Sequence, residues 1–271
     1  MSSLAFFPSI MEPVVEKLII PVFLYAGAAT YLHLKRYGLC KFYGLLKGKN
    51  VLIITSNLYR KNLDPKNKKG LDVLEQSILS GTEFEAVCVL QQLFGWNYSF
   101  GDNVLAHWAH TITLQSKVRC DIEVSPVERP KTDTFHNCFI IIGSSVFNVI
   151  RDFFVKSKNA TAYFLKEDIQ APGTKKCIEN KVIFTCGVIV EPISDEEELC
   201  IIEKNVTGSK TYFYISGFSG FASSMGANFL VKTWPTLQKI YRSDPFTLCL
   251  RINKHSYSIA YLTPSKYLFE F

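Results

Sequence analysis

Two short stretches of this chain combine the residue types that hold a phosphate or a carboxylate. The first, Ile140-Ile141-Ile142-Gly143-Ser144-Ser145, is an apolar run that opens into a glycine and two hydroxyls. The second, Tyr214-Ile215-Ser216-Gly217-Phe218-Ser219-Gly220, leads into Phe221-Ala222-Ser223-Ser224-Met225-Gly226-Ala227-Asn228. Glycine allows close approach to the backbone, hydroxyls donate hydrogen bonds, and the free amides of a following helix favour negative charge. The expected ligand-binding residues are therefore Gly143, Ser144, Ser145, Gly217, Ser219, Gly220, Ser223 and Asn228. Neither stretch carries the P-loop pattern G-x-x-x-x-G-K-S/T, and the spacing of Gly217, Gly220 and Gly226 is not that of a dinucleotide fingerprint. One Gly/Ser turn after a strand is ordinarily a cap; two of them in one sheet carry the expectation.

Other candidate chemistry is poorly supported. Ser219 sits in Gly217-Phe218-Ser219-Gly220, which lacks the G-x-S-x-G spacing of a nucleophile elbow. His107 and His110 form an i, i+3 pair with no downstream ligand to complete a familiar metal site. Glu83 and Glu85, two apart, point to different sides of a helix and make a poor acid–base pair. The run Asp195-Glu196-Glu197-Glu198 reads as a solvated turn, because consecutive carboxylates point apart. No cofactor or metal ligand is expected on these grounds, and whether the chain is an enzyme, and through which catalytic residues, stays open. An enzyme using the same loops would draw on Asn148, Arg151 or Asn228.

The elements that must position the two loops follow from hydrophobic periodicity. Val51–Thr55, Cys120–Val124, Phe139–Ile142, Thr161–Leu165, Val182–Thr185, Val188–Val190, Leu199–Glu203 and Thr211–Ser216 read as strands. Phe139–Ile142 is continuously apolar, as in a strand buried on both faces. Glu83–Phe94 has helical spacing, with Phe84, Val87, Leu90 and Leu93 on one face and Thr82 as its cap. Val146–Phe154 and Phe221–Val231 are expected to be helical, with a second short helix over Thr236–Tyr241. Phe246–Ile252 and Tyr257–Leu262 form a hairpin whose turn holds Lys254, remote from the second loop. The fold class is α/β: a Rossmann-like domain at 50–271 with a largely parallel or mixed sheet and a C-terminal β-hairpin.

Ahead of that domain, Leu18–Leu34 runs for 17 residues without a formal charge, LIIPVFLYAGAATYLHL. As a helix it is about 26 Å long, at the short end of what crosses a hydrocarbon layer. The expected layout is a short N-terminus at 1–17, a transmembrane helix at 18–34, a basic juxtamembrane segment at 35–49 and the α/β domain. A buried core helix, or a helix lying in the membrane surface, is the alternative. Glu12 and Glu16 before the run, with only Lys17 basic, argue against a cleaved signal peptide.

Charge supports this layout. The chain has 30 Lys+Arg and 24 Asp+Glu, yet Lys35–Lys69 alone carries ten basic residues and one acid, or +9, leaving −3 for the remainder. Flanking positive charge stays on the cytoplasmic side, so the N-terminus is expected outside and the body inside an inner or plasma membrane, with membrane lipids as partners of the helix and anionic headgroups facing the basic collar. A basic excess confined to a collar argues against nucleic acid as the partner. Eight cysteines without a C-x-x-C pair read as buried free thiols of a reducing compartment.

In layout alone, a short membrane helix joined to a cytosolic α/β sensor, the chain resembles the single-pass effectors of bacterial nucleotide-signalling antiviral defence. That resemblance implies a membrane-anchored module that binds a phosphate-bearing molecule such as a nucleotide and couples it to assembly of membrane helices. Ala26, Gly27, Ala28, Ala29 and Thr30 supply a small face for such a homo-oligomer. The alternatives are an anchored enzyme acting on a nucleotide or sugar, and a tethered protein-interaction domain.

Overall fold

The computed structural model describes residues 20–46, 50–56, 81–95, 118–124, 135–143, 151, 154–155, 159–166, 178–262 and 268–270. Its parallel strands form where the sequence places β-branched apolar runs. These are β1 (Asn50–Thr55), β2 (Arg119–Val124), β3 (Cys138–Ile142) and β8 (Lys210–Gly217). They lie in the order β2-β1-β3-β8, all mutually parallel, with Val51 opposite Cys138 and Cys138 opposite Thr211.

Beyond β8 the sheet turns antiparallel through β7 (Glu197–Thr207), β9 (Phe246–Asn253), β10 (Ile259–Leu262) and β11 (Leu268–Glu270). The eight strands thus form one mixed sheet in a Rossmann-like α/β arrangement, and the expected C-terminal hairpin is β9–β10. The strands expected at Thr161–Val190 are present, but not in this sheet. β4 (Ala162–Lys166), β5 (Ile178–Phe184) and β6 (Ile189–Val190) make a separate three-stranded sheet. Its Ala162, Phe164, Val182 and Phe184 pack on Leu199, Ile201 and Cys249 of the large one.

Both faces of the large sheet are covered at β1 and β3, which explains the unbroken apolar runs Val51–Ile54 and Cys138–Ile142. Ile53, Ile140, Phe213, Ile215, Ile202 and Leu248 face α2 (Gly81–Gly95), α3 (Gly220–Tyr241) and the end of α1 (Ile20–Phe42). Leu52, Ile54, Phe139, Ile141 and Tyr214 face the other way, onto Phe154 and Ala160.

Two helices differ from expectation. α2 starts at Gly81, so Thr82 lies inside its first turn rather than capping it, and Phe84 points to solvent while Glu83, Val87, Leu90 and Phe94 are buried. α3 runs unbroken from Gly220 to Tyr241 through Pro235, where two helices were expected. A proline forfeits one helical hydrogen bond, but Trp234 and Leu237 on either side of it are buried and hold both halves on the core. Of the helix expected at Val146–Phe154, Arg151 and Phe154 are helical, as is Val155 beyond them, and the rest lies outside the described residues.

α1 is a single helix made of two unlike halves. Phe23 and Leu24 are 74% and 70% exposed, and every described side chain from Val22 to Ala28 is exposed, so no face of this half is covered. From Gly38 onward the helix is core: Leu39, Cys40 and Phe42 are buried, followed by Tyr43 and Leu45. Gly44, at φ +71°, ends it, and a side chain there would collide with Thr211 Oγ1. The boundary expected at Lys35 therefore falls within one continuous helix. Among the described residues no helix is long and apolar enough to cross a membrane. Leu18 and Ile19 of the apolar run lie outside the described residues.

Candidate functional site

β1, β3 and β8 end side by side, and their carboxyl ends form the edge from which ligands approach parallel α/β sheets. β1 lies between β2 and β3, so the chain leaves it in opposite directions on the two sides, the reversal that opens a crevice in such sheets. The two loops singled out from sequence meet here. The Gly143 amide donates to the Ile215 carbonyl at 2.9 Å, and Ser216 Oγ donates to the Gly143 carbonyl at 3.1 Å. Gly143 and Gly217 thus leave neighbouring strands. Ser144, Ser145 and Asn148 lie outside the described residues.

The group between the first loop and β1 was not a sequence candidate for ligand binding. Glu83 of α2, 4% exposed, accepts the Ser56 amide at 3.1 Å and the Ser56 hydroxyl at 2.7 Å, one on each carboxylate oxygen. Burial pushes its pKa above the ordinary glutamate value, the two Ser56 hydrogen bonds only partly offsetting this. Gly143, at φ +106°, closes over the pair: a Cβ there would lie 1.7 Å from Ser56 Oγ and 3.1 Å from Glu83 Oε1. The glycine is required by this packing. Glu85 is exposed, so the two glutamates do point apart.

The second loop is built as a helix start. Ser219 caps α3, its oxygen accepting the Ala222 amide at 3.2 Å. Ser223 Oγ donates to the Ser219 carbonyl at 3.1 Å and accepts the Gly217 amide at 3.0 Å. A Cβ at Gly217 would lie 2.2 Å from the Ser223 nitrogen, so this position admits only glycine. Gly220 is the first helical residue and is not among the positive-φ glycines. Asn228, two turns on, donates to the Ser224 carbonyl at 3.1 Å.

An anion already lies beside this helix start. The Ser219 hydroxyl donates to Glu198 Oε2, and Lys254 Nζ stands 3.3 Å from Glu198 Oε1. Two expectations are corrected by this contact. Glu198 is buried at the start of β7 rather than part of a solvated turn, because antiparallel pairing with β9 draws it onto the sheet. Lys254 is not remote from the loop, since Glu197 pairs with Asn253 and brings the β9–β10 turn to the same edge.

Arg151 is fully engaged elsewhere. Its Nη1 donates to Glu203 at 2.9 Å and its Nη2 to the Ala162 carbonyl at 2.9 Å, with Phe154 and Tyr214 rings against the guanidinium. Thr161 donates to the same Glu203 through its amide and hydroxyl. This buried pair ties the small sheet to β7.

Among the described residues no group of three or more His, Cys, Asp or Glu could hold a metal ion. His107 and His110 lie outside them. Cys40, Cys138, Cys200 and Cys249 are buried free thiols, and burial pushes that of Cys249 up to about 12. The comparisons return nothing: no family model, no curated protein and no solved structure matches the chain.

Proposed function

We propose that this chain is a membrane-anchored ligand-binding module. The distal half of α1 inserts in the bilayer, and the carboxyl edge of the sheet binds a phosphate-bearing small molecule such as a nucleotide. The observation that carries the reading is α1 itself: apolar, exposed all round, and continuous with a half rooted in the core. A helix lying on a membrane surface would divide into an apolar and a polar face, whereas a helix apolar on every side belongs inside an apolar phase. The Thr30 hydroxyl donates to the Ala26 carbonyl at 2.8 Å, so its polar group is satisfied within the helix. Basic residues following the apolar run put the body on the cytoplasmic side of an inner or plasma membrane.

The phosphate assignment draws on Glu198. The start of α3 already neighbours a carboxylate held by Ser219 and Lys254, so its surroundings suit an anion. A ligand phosphate exchanges places with that carboxylate and takes Lys254 as its counter-charge. Because α1 has no linker to the body, rearrangement at this edge is transmitted as tilt or packing of the membrane helices, which assemble through Ala26–Thr30. An anchored enzyme acting on a nucleotide or sugar is the second reading, favoured by one observation, the buried carboxyl of Glu83 with its raised pKa at the same edge.

Mass spectrometry of small molecules released by denaturing the purified full chain tests this. A phosphate-bearing metabolite is expected from the wild type and lost in a folded Lys254→Ala variant. An empty eluate, or a metabolite retained by Lys254→Ala, contradicts the ligand assignment. Conversion of the metabolite by the wild type but not by Glu83→Gln moves the conclusion to the enzyme.

A further inference from the structure

The way α1 joins the body fixes which edge of the sheet a membrane would meet. Phe42 lies against Trp234 with ring centroids 6.4 Å apart, and a side chain at Gly38 would meet Gln238 Oε1 at 2.9 Å. α1 and α3 therefore run antiparallel, residue 42 beside 234 and 38 beside 238. Continuing that pairing by one turn sets Leu34 and Lys35 level with Tyr241 and Arg242. Because α3 follows β8 and returns along it, its C-terminal end lies at the amino edge of the parallel strands, opposite the candidate crevice.

This end of the molecule carries positive charge with apolar side chains between. Lys239 and Arg242 are exposed at the end of α3, and Lys210 opens β8 after the Thr207–Ser209 turn. Tyr37 and Ile240 are 52% and 51% exposed at the same level, and Val206 is exposed on the adjoining strand. Asp244 is the acid of the same region. Only Lys35 and Arg36 of this surface are adjacent in sequence to the apolar run.

We propose that the amino edge of the sheet, including Lys210, Lys239 and Arg242 as well as the residues that follow the apolar run, is a docking surface for anionic lipid headgroups. The strands stand on the bilayer and the Gly143–Gly217 edge faces away from it, open to a dissolved ligand. The proposal rests on the anchoring reading and adds to it the partner's charge and the body's orientation. Basic side chains close to an anionic surface each strengthen binding about fivefold, and exposed tyrosine and isoleucine between them suit the headgroup boundary.

Hydrogen exchange of the full chain in vesicles tests this, comparing phosphatidylcholine alone with phosphatidylcholine plus phosphatidylserine. Flotation with phosphatidylcholine alone reports anchoring by α1. Amides of Thr207–Lys210 and Arg242–Asp244 should exchange at least about fivefold more slowly with phosphatidylserine. That protection should be lost in Lys239→Glu/Arg242→Glu, while Asn253–Ser258 exchanges alike throughout. A chain that floats but shows no phosphatidylserine-dependent protection, or protection at Asn253–Ser258 instead, overturns the docking surface and leaves the anchor standing. A chain that does not float overturns both. Equal protection by duplex nucleic acid in detergent reassigns the surface to nucleic acid and overturns the lipid proposal.

Discussion

Glu83 sits where an apolar residue would complete the face of α2, with Val87, Leu90 and Phe94 following it into the core. Its carboxyl is tolerated because Ser56 offers two donors. Burial raises its pKa above 4.5, so the folded chain binds this proton more readily than the unfolded one. The stabilisation is complete below 4.5 and is lost as pH rises through the raised value. Denaturant titrations across that window should show wild-type stability declining relative to Glu83→Gln, whose amide does not titrate. Parallel curves would remove the raised pKa from the account. Val87 and Leu90 were legible as the inner face of α2, but the sequence reading flanked them with Phe84 and Leu93 rather than Glu83 and Phe94. Ser56 lies 27 positions from Glu83, and the fold alone brings the two together. Gly143 was legible as a special glycine, but its neighbour Ser56, whose hydroxyl leaves no room for a Cβ there, was not.

At the scale of elements, α3 carries two kinds of contact, and glycine substitutions separate them. Gly226 packs on the sheet: a Cβ there would lie 2.5 Å from Cys200 Sγ and 3.0 Å from Ile215 Cγ2, both buried. Gly38 of α1 meets only the tip of Gln238, a side chain free to swing aside. Alanine improves helix propensity by roughly 1 kcal/mol at either site, but forcing a methyl group into a packed core costs about 1–3 kcal/mol. Gly38→Ala should therefore raise the stability measured by denaturant unfolding, and Gly226→Ala should lower it. The reverse order would mean that α1 is the more tightly seated helix. Strands were the most legible elements, since both-face burial writes itself as unbroken apolar runs such as Cys138–Ile142. Pro235 misled because packing of Trp234 and Leu237 outweighs one missing hydrogen bond. The assignment of β4–β6 to their own sheet was not legible, because it depends on long-range packing that gathers Phe164, Phe184 and Val190 into one cluster with Leu199, Ile201 and Cys249.

At the scale of the molecule, α1 links an exposed apolar rod to the core of an α/β body. Leu39, Phe42, Tyr43 and Leu45 are buried after it enters. At about 2 kcal/mol each, Leu39, Phe42 and Leu45 contribute roughly 6 kcal/mol, comparable with the net stability of a domain. Sequence reasoning placed the body at 50–271; burial of Leu39, Phe42, Tyr43 and Leu45 brings the end of α1 and the residues after it into its core. The central claim is that the residues before Lys35 anchor the chain in a membrane, whereas the basic surface of the body only orients it against the headgroups. Alkaline carbonate extraction of membranes tests it, with the full chain compared against a chain beginning at Lys35. The account predicts the full chain in the pellet and the shortened chain folded in the supernatant. Release of the full chain by carbonate, or retention of the shortened one in the pellet, would contradict it.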